Sequence, residues 1–342
     1  MNSSSEKTEF ATQTSHEVGR VGVYFSLQDN LELVKLAEEL GYESVWAAEG
    51  QGKTTFGKVE RWAAHTNSIK LATEIVNIFS RTPATTAQAA ATLDAHSSGR
   101  AILGLGVAHP GVVEEFHGTD FEQPLARMDE YIKLIRCYLR GEPGEFTGTF
   151  YSPTRTEFWN AFEPERESIP IYNGALGPAN VRLTGQYADG WLPNLYPQSQ
   201  FEQALEWLET GAARSGRVAS DIDVAMYVLT AVHEDVAVAR RAASEHVAYY
   251  LREIPGYYDR VAIESGFKDD VTAVRKASKL ESGAEQLSDE FLDRLAIIGT
   301  PETARKELDD LRDSGVDLPI VRPPARTDRV WAERTLNTFA RK

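Results

Sequence analysis

The chain is expected to fold as an eight-stranded parallel β/α barrel, and three observations lead there. Short β-rich apolar runs alternate with helical patterns from Val21 almost to the C-terminus. The runs are apolar throughout instead of alternating with polar residues, as strands are when helices cover their outer face. At 342 residues and 42% hydrophobic composition, the chain can bury one large core. A doubly wound open sheet would satisfy the same alternation.

Taken in order, Val21-Gly22-Val23-Tyr24-Phe25 forms the first strand, followed by a helix built on Leu31, Val34, Leu36, Ala37 and Leu40. Ser44-Val45-Trp46-Ala47 is the second strand and Ile69 to Phe79 the third, with a helix from Pro83 to Ala95. Ala101 to Gly106 is the fourth, before a helix around Arg127 to Arg140. The run Ile169-Pro170-Ile171-Tyr172 enters Asn173-Gly174-Ala175-Leu176-Gly177-Pro178 and a helix ending before Ala188-Asp189-Gly190-Trp191. Gly190 to Leu192, Val224 to Val232 and Gly315 to Val321 complete eight strands, with helices at Gln200 to Ala213 and Trp331 to Ala340. The polar, helical segment at about 249–299, without a clear strand, reads as an insertion before the last strand. Residues 18–342 are thus expected to be one barrel domain, and the Ser/Thr/Glu-rich residues 1–17 a loose tail.

Thirty-six Lys and Arg against 51 Asp and Glu give a formal charge of −15, which argues against a nucleic-acid partner and confines any phosphate binding to a local site. Arg outnumbers Lys by 25 to 11, which suits a halophilic, archaeal host and equally an acidic cytosolic enzyme from a GC-rich genome. The lone Cys137, on the apolar face of Tyr131, Leu134, Ile135 and Leu139, is expected in the core and rules out an internal disulfide. No run reaches the ~20 apolar residues of a membrane span, so a cytoplasmic protein is expected.

In such a barrel, ligands meet the carboxyl ends of the strands. The turn Gly174-Ala175-Leu176-Gly177 at a helix start bares backbone N–H groups suited to an anion, or serves only a tight connection. Glu49, before the loop Gly50-Gln51-Gly52-Lys53, could handle a proton or form a surface ion pair with Lys53. Glu74 and Asn77 interrupt an apolar strand, where an unpaired charge costs several kcal/mol, so function explains Glu74 better than packing. Gly104-Leu105-Gly106 lets a ring approach the backbone and sets His109 at the mouth. Absent motifs exclude a Gly-x-Ser-x-Gly nucleophile, a His-Glu-x-x-His zinc site, paired cysteines and a phosphate-loop lysine; no metal is expected.

The chain resembles the bacterial-luciferase-like superfamily, a (β/α)8 TIM barrel fold, in its branch that uses the deazaflavin coenzyme F420. The residues that carry this are Gly41-Tyr42-Glu43-Ser44-Val45-Trp46, Thr92 through Gly106, Ile169 through Pro178, Ala188-Asp189-Gly190 and Ile298-Gly299-Thr300-Pro301-Glu302. Within that branch it looks most like the methylene-tetrahydromethanopterin reductases, also through Asp221 to Ala225 and Ser288-Asp289.

The resemblance implies hydride transfer between the deazaflavin and a small-molecule substrate, a one-carbon-loaded pterin or folate, in a homodimer or homotetramer. It implies a non-proline cis peptide at Glu74-Ile75, the ring on Ile75, Val76, Asn77, Gly106, Val107 and Ala108, and the phosphate on Gly174, Ala175 and Gly177. Glu49, Glu74 and His109 are the catalytic candidates, Glu49 or Glu74 as proton donor. Glu49-Gly50 replaces the superfamily's Asp-His pair, Tyr24 stands where the pterin reductases carry a first-strand glutamate, and His109 where they carry an acid. An F420-dependent alcohol or enone oxidoreductase, an FMN-dependent monooxygenase and a non-catalytic cofactor carrier are the alternatives.

Overall fold

The computed structural model describes residues 19–25, 30–50, 52–141, 144–156, 163–254, 256–325 and 327–341; the expected tail at 1–17 lies outside them. Eight parallel strands close on themselves. Around the ring these are β1 (Gly22–Phe25), β2 (Ser44–Ala48), β3 (Lys70–Glu74) with its continuation β4 (Val76–Asn77), β5 (Ala101–Gly106), β6 (Ile171–Gly174), β7 (Gly190–Trp191) and β8 (Asp223–Val232). β9 (Ala296–Gly299) lies outside the ring, and β10 (Leu318–Arg322) closes it by pairing with both β8 and β1.

The open-sheet alternative is thereby excluded. The register alternates side chains between two cores. Tyr24, Trp46, Ala72, Ile102, Tyr172, Leu192, Tyr227 and Ile320 fill the lumen, while Val23, Val45, Leu71, Leu103 and Ile171 face the helices. Those helices are α1 (Leu31–Glu39), α2 (Thr55–Ala63), α3 (Pro83–His96), α4 (Pro124–Arg140), α5 (Pro178–Tyr187) and α6 (Phe201–Ala213).

Local chemistry sets many boundaries. Thr82 and Thr85 cap α3 reciprocally, with Pro83 in its first turn, and Thr54 caps α2 by accepting from the Gly57 N–H. On α4, Cys137 is half-buried beside Arg140, at the edge of the apolar stripe and not in the core as expected. α5 and α6 pack backbone to backbone: a Cβ on Gly185 would strike the Leu208 carbonyl, and one on Gly211 the Arg182 carbonyl.

The segment after β8 holds α7 (Val236–Glu253), α8 (Tyr258–Glu264), α9 (Lys268–Lys276), α10 (Leu280–Ala284), α11 (Asp289–Leu295) and then β9. It therefore contains a strand that the sequence reading had not resolved. β9 prolongs the ladder on Leu229–Val232, taking over at Leu229, the last residue of β8 to pair with β10. A separate core, including Val247, Leu251, Val274 and Phe291, holds these helices together. α12 (Pro301–Asp313), capped by Thr300, and α13 (Arg329–Thr338), capped by Asp328, complete the outer layer. The last strand starts at Leu318, not Gly315, because Gly315 adopts φ 105° in the turn leaving α12.

The expected third strand, Ile69 to Phe79, is broken. Between the pairs Ala72–Ile102 and Val76–Leu105 it spends three residues where β5 spends two, a one-residue bulge. The Thr73 hydroxyl bridges the gap, donating to the Gly104 carbonyl at 2.9 Å while accepting from the Gly104 N–H at 2.8 Å. Among the described residues every peptide bond is trans, so the cis bond expected at Glu74-Ile75 is corrected: the additional residue alone makes the kink. Gly104 has no room for a Cβ, which would collide with the Thr73 carbonyl oxygen. Gly104→Ala is expected to lower stability by about 1–3 kcal/mol, read from the denaturant midpoint.

Candidate active site

The bulge turns two successive side chains, Glu74 and Ile75, toward the lumen. Ile75 fills the space a Cβ on Gly106 would need, and one on Gly174 would come 3.3 Å from its Cγ2. The Thr73 carbonyl and the Ile75 side chain thus take up the space beside Gly104 and Gly106, and Ile75 reaches Gly174, so the glycines let the bulge pack tightly against the neighbouring strand ends. Val107 and Ala108 leave β5 along this edge; Ala108 holds φ 57°, a left-handed conformation costly for a residue with a Cβ. His109, next on the rim, is half-buried, and burial lowers its proton affinity against the pull of Glu115.

Glu49 and Asn77 meet across the bulge. The Asn77 N–H donates to Glu49 Oε2 at 3.2 Å, and Arg81 pairs with Oε1 at 3.3 Å. Glu49 turns inward from the end of β2 to make this pair with Arg81. Asn77 Oδ1 accepts from the Phe79 N–H, while its buried Nδ2 has no partner.

Glu74 is different in kind. Its Oε2 is closed off from solvent and has no hydrogen-bond partner. Burial pushes its carboxyl up to about 8, even against the positive charges of Arg322 and Lys58. Around it stand Tyr24 of β1, Tyr227 of β8, Arg322 of β10 and Tyr258 of α8. Burial raises all three phenols, so they stay protonated, and the Tyr227 hydroxyl is also unpartnered.

Arg322 reaches from the end of β10 under the insertion. It donates to the Tyr250 hydroxyl at 2.6 Å and to Asn194 Oδ1 at 3.3 Å, and its guanidinium lies 4.5 Å from the Tyr24 ring centre. Asn194 in turn donates to the Tyr258 hydroxyl at 2.9 Å. Sequence reasoning missed Arg322 and Tyr227. The available signal was the one that found Glu74: a polar residue in, or closing, an otherwise apolar barrel strand.

At the next strand ends, Asn173 donates to Asn180 and Thr184 and leaves a buried Oδ1 unpartnered. Gly177 is the N-cap of α5, so no side chain caps its first-turn N–H groups. A Cβ on Gly177 would sit 3.3 Å from Arg260 Nη2, which places a cation of α8 beside this helix start. Among the described residues no cluster could hold a metal ion.

The carboxyl end of the barrel thus carries the bulge, a buried acid with a raised carboxyl and an uncapped helix start, where the barrels of enzymes hold their sites. The sequence profile described as luciferase-like monooxygenase matches residues 7–318, and the chain belongs to this family, among its F420-dependent oxidoreductases. It is 33% identical to a Mycobacterium tuberculosis protein whose name places it with the coenzyme F420-dependent oxidoreductases, covering 86% of this chain and 90% of that one. It is 32% identical to 5,10-methylenetetrahydromethanopterin reductase of Methanolobus tindarius, over 85% of this chain and 88% of the relative. The solved F420-dependent tetrahydromethanopterin reductase of Methanopyrus kandleri superposes with a TM-score of 0.81 at 27% identity, covering 94% and 98% of the two chains.

The raised carboxyl has a consequence for stability. Between the ordinary value of 4.5 and about 8, the folded chain keeps a proton that the unfolded chain has released, so stability falls as pH rises through that window. Glu74→Gln is expected to melt with wild type at pH ~4 and above it at pH ~9; equal melting temperatures at both would contradict the assignment.

Proposed function

We propose that this F420-dependent oxidoreductase transfers a hydride to a one-carbon-loaded pterin or folate, as a methylene-tetrahydropterin reductase does. The observation that carries the reading is Glu74, a neutral carboxyl with an unpartnered oxygen on the bulge of the third strand. The reductases named above, at 32% identity and 0.81 TM-score, support the substrate class.

The residues present fit the cofactor. A planar ring suits the partly buried apolar side chains at the mouth, Ile75 on the bulge with Val107 and Ala108 after β5. Asn77 Nδ2 and Asn173 Oδ1 are an unused donor and acceptor for the polar edges of a heterocycle. The N–H groups after Gly174, Ala175 and Gly177, with Arg260 beside them, suit a phosphate. When bound, the deazaflavin supplies a carbon that gives or takes a hydride.

Everything else falls to the chain. Trp46, Tyr172 and Leu192 close the lumen below and keep water out. Glu74 gives its proton to the amine nitrogen whose bond to the methylene carbon breaks as the new C–H bond forms. Glu49 is held by Arg81 and the Asn77 N–H as an acceptor, so it anchors the bulge and does not compete as the acid. His109, poor in proton affinity, borders the ring.

Titration with reduced coenzyme F420 and with reduced FMN, followed by methylene-tetrahydrofolate or methylene-tetrahydromethanopterin, tests the reading. Oxidation of the deazaflavin on adding the one-carbon carrier is expected; tight FMN binding with oxygen consumption would assign a monooxygenase. Turnover should fall as pH rises past about 8. Glu74→Gln should cost ~10²–10⁴-fold in kcat while leaving F420 affinity unchanged. Arg260→Ala should weaken F420 binding, with a loss that shrinks at high salt.

A further inference from the structure

The lumen holds a cation that the protein itself leaves uncompensated. Arg322 is 7% exposed, and both of its hydrogen bonds go to neutral oxygens, on Tyr250 and Asn194. Among the described residues no carboxylate lies within ion-pair distance of it. The nearest acid in electrostatic range is Glu74, whose own surroundings keep it neutral. Burying a guanidinium this way is expensive, and replacing it by an apolar side chain would remove the cost.

Its neighbours repeat the theme. The Tyr227 hydroxyl is buried without a partner, and the Tyr24 ring, under the guanidinium, packs edge-on to the Tyr227 ring at 6.0 Å. Glu74 Oε2 completes the set of unpaired lumen atoms around the same space. Phenol and carboxylic acid can donate or accept, but the guanidinium can only donate, so an oxygen acceptor with no hydrogen complements Arg322 at this end of the lumen.

Resting on the pterin reading above, we propose that Arg322 and the Tyr227 hydroxyl bind the 4-oxo oxygen of the pterin ring and so determine substrate specificity. That oxygen lies next to the ring nitrogen bearing the one-carbon unit, which brings the carbon into reach of Glu74 at the neighbouring strand. The insertion takes part, because Tyr250 of α7 fixes the guanidinium from above.

The test compares 6-methylpterin with 2,4-diamino-6-methylpteridine, in which an amino group replaces the oxygen, by calorimetric titration of the F420-loaded protein. Wild type is expected to prefer the 4-oxo compound by at least ~10-fold, since an amino group would set its N–H groups against the donor-only guanidinium of Arg322. Arg322→Met should bring the two affinities within ~2-fold, and Tyr227→Phe should narrow the gap. F420 affinity and melting temperature report whether each variant is intact. If Arg322→Met does not fold, wild type and Tyr227→Phe still decide the matter. Equal affinities in wild type would overturn the proposal for both residues while leaving the pterin reading standing, and a preference that survives Arg322→Met would overturn the assignment of Arg322. Binding of neither pteridine to a protein that holds F420 would overturn the pterin reading with it.

Discussion

The two hydrogen bonds between the Thr73 hydroxyl and the backbone of Gly104 hold the barrel together where its ladder fails. Without them the third strand would part from β5 over the three residues that include Glu74 and Ile75. The contact needs a glycine at 104, because the Thr73 carbonyl occupies the position of a side chain. From this joint follow the inward turn of Glu74, the support of Ile75 under Gly106 and Gly174, and the placement of Asn77 against Glu49. The site is a defect in the sheet, stabilised by a side chain that imitates backbone.

Electrostatics divides the mouth into two halves. On one side Glu49 is paired and bonded to backbone, a fixed negative charge neutralised by Arg81. On the other, Glu74 is neutral and Arg322 charged, so that half carries net positive potential in a space closed to water. Glu49 and Glu74 stand at the ends of neighbouring strands, yet their surroundings differ: an ion pair and a backbone N–H hold one, while the other keeps a buried oxygen without a partner.

Much of this was legible in the sequence. The eight strands were readable because parallel strands buried on both faces are apolar throughout, and Glu74 stood out for the same reason. The glycine turn at Gly174 to Gly177 was visible from the Gly-Pro start of α5. What was hidden depended on partners distant in the chain. Arg81 lies 32 residues from Glu49, and Arg322 reaches Asn194 across 128. β9 could not be recognised because Ala296-Ile297-Ile298 gains its meaning only from the overhanging end of β8. The trans bulge was obscured for another reason: a one-residue excess shows only when two strands are laid side by side.

That excess makes strand length a switch. Removing Ile75 would leave two residues opposite two between the Ala72–Ile102 and Val76–Leu105 pairs, a continuous register with β5 in which the later pairs stand unchanged. Such a deletion would take away the only side chain spanning Gly106 and Gly174, and with it the need for Thr73 to stand in for backbone. The barrel could then close as an ordinary one, without the kink that brings Glu74 and Ile75 together at its mouth. The length of one strand, counted in single residues, thus governs the shape of this end of the barrel.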